Sequence, residues 1–324
     1  MRKIKRDRYI NNLYAAVHTL SGVTQQDADQ AKAELHPCIK VCTQRKVRNE
    51  DSQETYMQLN PNKVLGSGGM LRSAAEMEQI LDQTLQAVGV VPETFAIRRV
   101  DLAFNSEDPQ DYRLFQKLNR LLICCLAYEY RIDNCYRSED LWSFDQLSIA
   151  IMNTRISVEN YDKEAESGGT CPVCSRFEIR SMKLQAGDSI RKEFLERWPE
   201  RWNRAIKRMQ DVELRYNDRL EQLYKEDLAK DKRDRDYLNL TAFLLQYKDC
   251  IFSSRQMVDL LSRFDEVADP RQKARSFKSH HRIEYFSMTD LKVIVAALNA
   301  ATEQYFESAP QACILDENQM QNVA

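Results

Sequence analysis

The chain has 324 residues, 43% hydrophobic and 30% charged, which suits a folded protein with room for more than one domain and excludes a low-complexity or collagen-like polymer. A net charge of -2 and a pI near 6.2 exclude a uniformly basic nucleic-acid coat, so any DNA-binding surface has to be local. No apolar run approaches the ~18 residues that cross a bilayer, and the basic cluster from Met1 to Arg8 has no apolar stretch behind it, so no membrane partner and a cytoplasmic location are expected. Nine cysteines, including adjacent Cys124 and Cys125, read as reduced thiols in that compartment.

In chain order, the basic leader runs into an expected helix with apolar positions at Ile10, Leu13, Tyr14, Val17 and Leu20. Residues 35–43 and Thr55 to Leu59 read as strands of an irregular hairpin with a polar loop at 44–53, closed by the turn Asn60-Pro61-Asn62. A helix of about 18 residues follows Gly66-Ser67-Gly68-Gly69 and stops at Gly89. Phe95 to Phe104 alternates as a strand, and Tyr112 to Tyr130 is a helix apolar enough to lie across a sheet. Leu147 to Tyr161 contains two strands and Arg176 to Met182 a third, which together imply an α+β fold, an antiparallel-rich sheet with helices on one face. Beyond Gly187 the chain turns helical, with Pro199 acceptable in a first helical turn. The expected division is an α+β catalytic domain over 1–186, long charged helices and a linker over 187–236, a small all-helical C-terminal domain over 237–308, and a tail over 309–324.

Three expected strands carry polar side chains at the same parity. These are Arg99 and Asp101 on the first, Arg155, Ser157, Glu159 and Tyr161 on the second, and Arg176, Glu178 and Arg180 on the third. On neighbouring strands they would assemble carboxylates, arginines and a tyrosine on one face, the parts for metal-assisted phosphodiester cleavage through a covalent tyrosine link. The same spacing also fits a solvated sheet face with Arg and Glu paired across strands, and Tyr161 fits a sheet-edge aromatic. Cys171-Pro172-Val173-Cys174 supplies half of a zinc site at most, with Cys38 and Cys42 the other close pair, and reads better as reduced loop cysteines. Arg271 to Arg282 packs five Arg/Lys and two His into twelve residues after two expected short helices, a pattern open to a helix-turn-helix reader or to a small bundle with a solvated basic face. Trp198, Trp202 and the apolar positions after them form a stripe that suits intramolecular core better than a partner surface.

The segments Met57 to Gly66, Arg99 to Phe104, Ile156 to Glu166 and Arg176 to Ser181, taken in order, resemble the replication-initiator family of small rolling-circle plasmids and related integrative elements, often called Rep_trans, over about residues 35–185. That resemblance implies a relaxase-like, metal-dependent nicking and rejoining of origin DNA, supercoiled or hairpin, through a covalent phosphotyrosine. It implies Tyr161 as nucleophile, Lys163 and Arg180 as catalytic cations, and Asp101, Glu159 and Glu178 as ligands of Mg²⁺ or Mn²⁺. DNA contacts are expected from Arg99, Arg155 and Arg176, and from Arg271, Lys273, Arg275, Lys278 and Arg282. A host helicase and a second copy of the chain are further partners it leaves open. A non-catalytic DNA-binding or scaffolding protein that keeps the fold is the alternative. The His-hydrophobic-His pair of the other large class of rolling-circle nickases is missing, since the histidines are His18, His36, His280 and His281.

Overall fold

The computed structural model describes residues 13–47, 52–66, 69–106, 112–130, 149–152, 154–169, 175–184 and 189–309. Its first half contains β1 (Leu13–Thr24), α1 (Gln30–Leu35), β2 (Ile39–Lys46), β3 (Gln53–Leu59), α2 (Ala74–Ala87), β4 (Ala96–Ser106), α3 (Tyr112–Tyr130), β5 (Ile149–Met152), β6 (Ile156–Tyr161), α4 (Lys163–Glu166) and β7 (Ser175–Ser181). The helices that follow are α5 (Ile190–Lys192), α6 (Trp198–Ala205), α7 (Met209–Leu228), α8 (Leu240–Gln246), α9 (Ser254–Leu261), α10 (Pro270–His281) and α11 (Met288–Glu307). The seven strands form one sheet in the order β2-β3-β1-β4-β7-β6-β5, and all neighbours are antiparallel.

The helix expected around residues 10–20 is instead strand β1, central in the sheet; Ile10 lies outside the described residues. Its run Leu13-Tyr14-Ala15-Ala16-Val17 is apolar at every position, as suits a strand covered along nearly its whole length, and the three- and four-residue spacing within it is incidental. Helix α2 is shorter than expected because Ser73 and Glu76 form a capping box that sets its start, while Gly89 at φ 81° follows its end.

One sheet face is the core. Val100, Leu102, Phe104, Val158, Phe177 and Ile179 are buried there beneath Leu121 to Leu126 of α3. Trp202 of α6 packs on Phe177 with ring centroids 5.9 Å apart, and Phe177 lies 6.1 Å from Phe104. Helices α5, α6 and α7 run on from one another through a π turn at Glu193–Arg197 and a 3₁₀ turn at Ile206–Arg208, with Pro199 in the first turn of α6. The Trp198, Trp202, Met209, Val212 and Tyr216 stripe is therefore intramolecular core.

The apolar clusters cut across the division drawn from sequence. Helix α11 returns to pack on β1 and shares the sheet's core through Leu291, Ile294, Leu298 and Tyr305, while α8, α9, α10 and the second half of α7 enclose a smaller cluster of their own. Residues 230–236, expected as a linker, fold back as a turn: Asp227 accepts the backbone N–H of Asp236 at 2.8 Å and pairs with Lys230 at 3.2 Å. Truncating Trp202 to alanine should cost about 3–5 kcal/mol. Urea unfolding measures it, and a loss below ~1 kcal/mol would mean that α6 is not anchored on the sheet.

Candidate functional site

The opposite face of the sheet is polar, and the strand register decides which side chains meet on it. Asp101 lies across from Arg180, which lies across from Ser157; Glu178 is opposite Glu159, and Arg176 is opposite both Asn105 and Tyr161. Two carboxylates directly opposite on adjacent strands repel, and the repulsion has to be answered locally. Arg180 answers it: Nη2 donates to Glu159 Oε2 at 2.6 Å and to Glu178 Oε2 at 2.8 Å, while Nε is 3.5 Å from Asp101 Oδ2. Arg99 takes Asp101 in a two-pronged pair at 2.8 and 2.6 Å.

Glu178 is the hub. Its residue is 1% exposed, and its other oxygen, Oε1, accepts the Tyr161 hydroxyl at 2.9 Å and lies 3.7 Å from both His18 Nδ1 and Arg176 Nη1. Burial opposes its ionisation, but His18, Arg180 and Arg176 outweigh burial and bring its carboxyl down to about 2. Burial pulls His18 the other way, down to about 4 against the attraction of Glu178, so its imidazole is neutral at neutral pH. The Tyr161 phenol is pushed well up by burial and by the negative charge of Glu178. Asp101 is raised by burial, against the pull of Arg99 and Arg180.

Two β-bulges bring in groups that alternation along a strand does not reveal. In β1, Val17 faces Leu102 and Thr19 faces the very next residue, Asp101, so His18 is the extra residue and its ring turns toward Glu178. In β2, Ile39 faces Leu59 and Val41 faces Gln58, so Lys40 is extra in the same way. Both line an open cleft of about 470 Å³ with Arg99, Asp101, Tyr161, Lys163, Arg176, Glu178 and Arg180. The wall of the cleft past β3 is the turn Pro61–Leu65, pinned by buried Asn62, whose Nδ2 donates to the Val17 carbonyl at 2.8 Å and whose Oδ1 accepts the Leu71 N–H at 2.8 Å. The turn ends at Gly66 with φ 77°, a backbone conformation that favours glycine. Past Tyr161, Asp162 caps the short helix α4 and sets Lys163 beside the Tyr161 ring, with its ammonium paired to Glu166.

The structure thus gathers Arg99, Asp101, Glu159, Tyr161, Lys163, Arg176, Glu178 and Arg180, whereas Arg155 lies one residue before β6, exposed and outside the cleft lining. On α10, Ala274 and Phe277 are buried and Arg271, Lys273, Arg275, Lys278 and Arg282 stay exposed, without an acidic partner among the described residues. Cys171 and Cys174 lie outside the described residues, and Cys38 and Cys42 are free thiols. Of the rival tyrosines, Tyr128 on α3 donates to the Asp211 carbonyl at 3.4 Å, away from the cleft lining; Tyr136 and the side chain of Tyr130 lie outside what the structure describes. As arranged, the carboxylates do not fit a metal ion: Asp101, Glu159 and Glu178 are engaged by arginines, and among the described residues no three His, Cys, Asp or Glu side chains converge to hold one. No helix of the described residues is long and apolar enough to cross a membrane.

No protein-family model matches the chain, and no curated protein matches it. Among solved structures it is similar to a rolling circle replication initiator protein from Geobacillus stearothermophilus, at 14% identity over 53% of this chain and 75% of that one. The TM-score is 0.26, too low a superposition to support any inference about fold or site.

The ionisation pattern sets an acid sensitivity. His18 takes up a proton in the unfolded chain below about 6.5 but in the folded one only below about 4, so stability present above pH 6.5 is lost as pH falls toward 4. Glu178, lowered from 4.5 to about 2, adds stability present above 4.5 and lost as pH falls from there toward 2. Unfolding free energy should therefore fall by on the order of 2 kcal/mol between pH 7 and 4 through His18, and His18→Gln should flatten that part of the curve. An unchanged pH profile in His18→Gln would remove the burial account.

Proposed function

We propose that the chain is a DNA nicking-and-joining protein that initiates replication of a mobile element from its origin, with Tyr161 as nucleophile. The observation that carries this reading is the 2.9 Å hydrogen bond from the Tyr161 hydroxyl to the buried, ionised Glu178 inside a cleft lined with arginine and lysine. A phenol held by an anionic acceptor and flanked by cations has a nucleophile, a proton acceptor and charge compensation within one site.

In the proposed step the Tyr161 oxygen bonds to phosphorus, its proton passes to Glu178, the bond from phosphorus to the 3′ oxygen breaks, and that oxygen takes a proton from water. Arg176 and Lys163 offset the charge that builds on the phosphate oxygens. The reverse step rejoins the strand without an external energy source, because the phosphotyrosine link conserves the bond. Single-stranded DNA, exposed in a supercoiled or hairpin origin, is the substrate form that lets a phosphodiester reach an open cleft. The exposed cations of α10 would contact duplex phosphates and add salt-dependent affinity. No step is routed through a metal, since a cation at these carboxylates would first have to displace Arg180.

The second reading, a DNA-binding protein with no cleavage, draws on one observation. Glu178 at about 2 is a weak proton acceptor for a phenol that burial holds protonated.

Purified protein incubated with a supercoiled plasmid bearing the element's origin and Mn²⁺ should give relaxed DNA and a covalent adduct, and Tyr161→Phe should give neither. The same reaction in EDTA reads metal dependence. Origin binding with no adduct from the native chain would establish the second reading. Replacing Arg271, Lys273 and Arg275 together by glutamine should weaken duplex binding and lower its logarithmic salt slope by about 2.7, while adduct formation on a single-stranded oligonucleotide persists. Loss of both activities together would place the substrate strand on α10 instead.

A further inference from the structure

The charges of the cleft are matched except at one wall. Arg99 is committed to Asp101, Arg180 to Glu159 and Glu178, Lys163 to Glu166, and Arg176 lies 3.7 Å from Glu178. Lys40 and Lys63 line the same cleft, and neither forms an ion pair with a carboxylate among the described residues. They are also near enough to repel: after partial burial, the charge of Lys63 is the largest influence lowering Lys40, against the weaker attraction of Asp101 and Glu178, neither of which forms an ion pair with it. Neither lysine is where it is by chance of a flexible surface. Lys40 is the extra residue of the β2 bulge, and Lys63 sits in the 3₁₀ turn that Asn62 ties to the Val17 carbonyl and the Leu71 N–H. Ordered backbone that holds two like charges together at the edge of a cleft, with the nearby carboxylates already engaged by arginines, leaves that edge favourable to a further anion.

We propose that Lys40 and Lys63 form a phosphate-binding wall that grips the backbone of single-stranded DNA at a phosphate next to the one facing Tyr161. The assignment rests on the proposed nicking function and deepens it, because it says how the strand is held in register. Lysine suits such a wall, since it offers a point charge that follows the backbone without reading bases. Lys40 and Lys63 are positioning residues here, acting on a part of the strand that does not react.

The test uses the full-length chain carrying Tyr161→Phe, which binds without reacting, and a fluorescein-labelled fifteen-nucleotide oligothymidylate followed by anisotropy across a salt series. Lys40→Gln with Lys63→Gln should weaken binding roughly tenfold and reduce the logarithmic salt slope by about 1.4, the loss of two phosphate contacts on a single strand. Lys40→Arg with Lys63→Arg should retain both values. Lys192→Gln with Lys207→Gln removes the same charge from exposed helical positions and should leave binding as it was. Equal behaviour of the two glutamine pairs, or no binding of the oligonucleotide by the parent, overturns the proposal. Adduct assays in the Tyr161 background separate the two ideas. Lysine-dependent binding with no adduct leaves the phosphate wall standing and removes nicking. Adduct formation that is indifferent to Lys40 and Lys63, with unchanged binding, removes the wall and leaves nicking.

Discussion

The pairing of β6 with β7 places Glu159 and Glu178 face to face, and nearly everything about the polar side of the sheet follows from how that repulsion is resolved. Two carboxylates, one of them almost fully buried, persist only with a cation between them, because an unpaired buried charge costs several kcal/mol. Arg180 fills that position and reaches on toward Asp101, so one guanidinium joins β4, β6 and β7 electrostatically. With one oxygen of Glu178 engaged by Arg180, the other is left for Tyr161, and the phenol acquires both its place and its reluctance to ionise from the same arrangement. The apolar side has a different logic, in which Phe177 between Phe104 and Trp202 anchors the helical layer to the same strand that carries Glu178.

Much of this was legible in the sequence. The alternation of Asp101, Glu159 with Tyr161, and Arg176 with Glu178 and Arg180 needs only period-two geometry to put each set on one side of its strand, and the adjacency of β4, β7 and β6 then joins the sets. The helix from Tyr112 to Tyr130 stood out because an apolar segment of that length has few other places to go. Other features left no such trace. His18 and Lys40 enter through bulges, where one residue more on one strand than on its partner breaks the alternation that makes a strand readable. The strand nature of β1 was hidden for a related reason: a central strand with both faces covered has no polar side, and its apolar residues satisfy a helical template as readily as an extended one. Which carboxylate each arginine would take also lay beyond spacing, since it depends on register across three strands.

Asn62 shows how a polar residue can organise a site without belonging to its chemistry. It is buried, and its amide links a carbonyl at the β1 bulge, a side chain of its own turn and the backbone that leads into α2. The bulge and the turn are thereby locked to each other, so the wall bearing Lys63 and the strand bearing His18 keep a common frame. A fully satisfied buried amide is well suited to this, since movement of any one of the three segments leaves a buried polar group without its partner.

The return of α11 to β1 joins residues separated by more of the chain than almost any other pair of packed elements. Such a topology makes folding a late event during synthesis: β1 can pair with its neighbouring strands early, yet part of its apolar face stays uncovered until residues 288–307 have left the ribosome. Until then an apolar patch of the sheet face over β1 stays uncovered, and the layer that backs the strand carrying His18 is incomplete. Whatever chemistry the cleft performs, it performs as a finished protein.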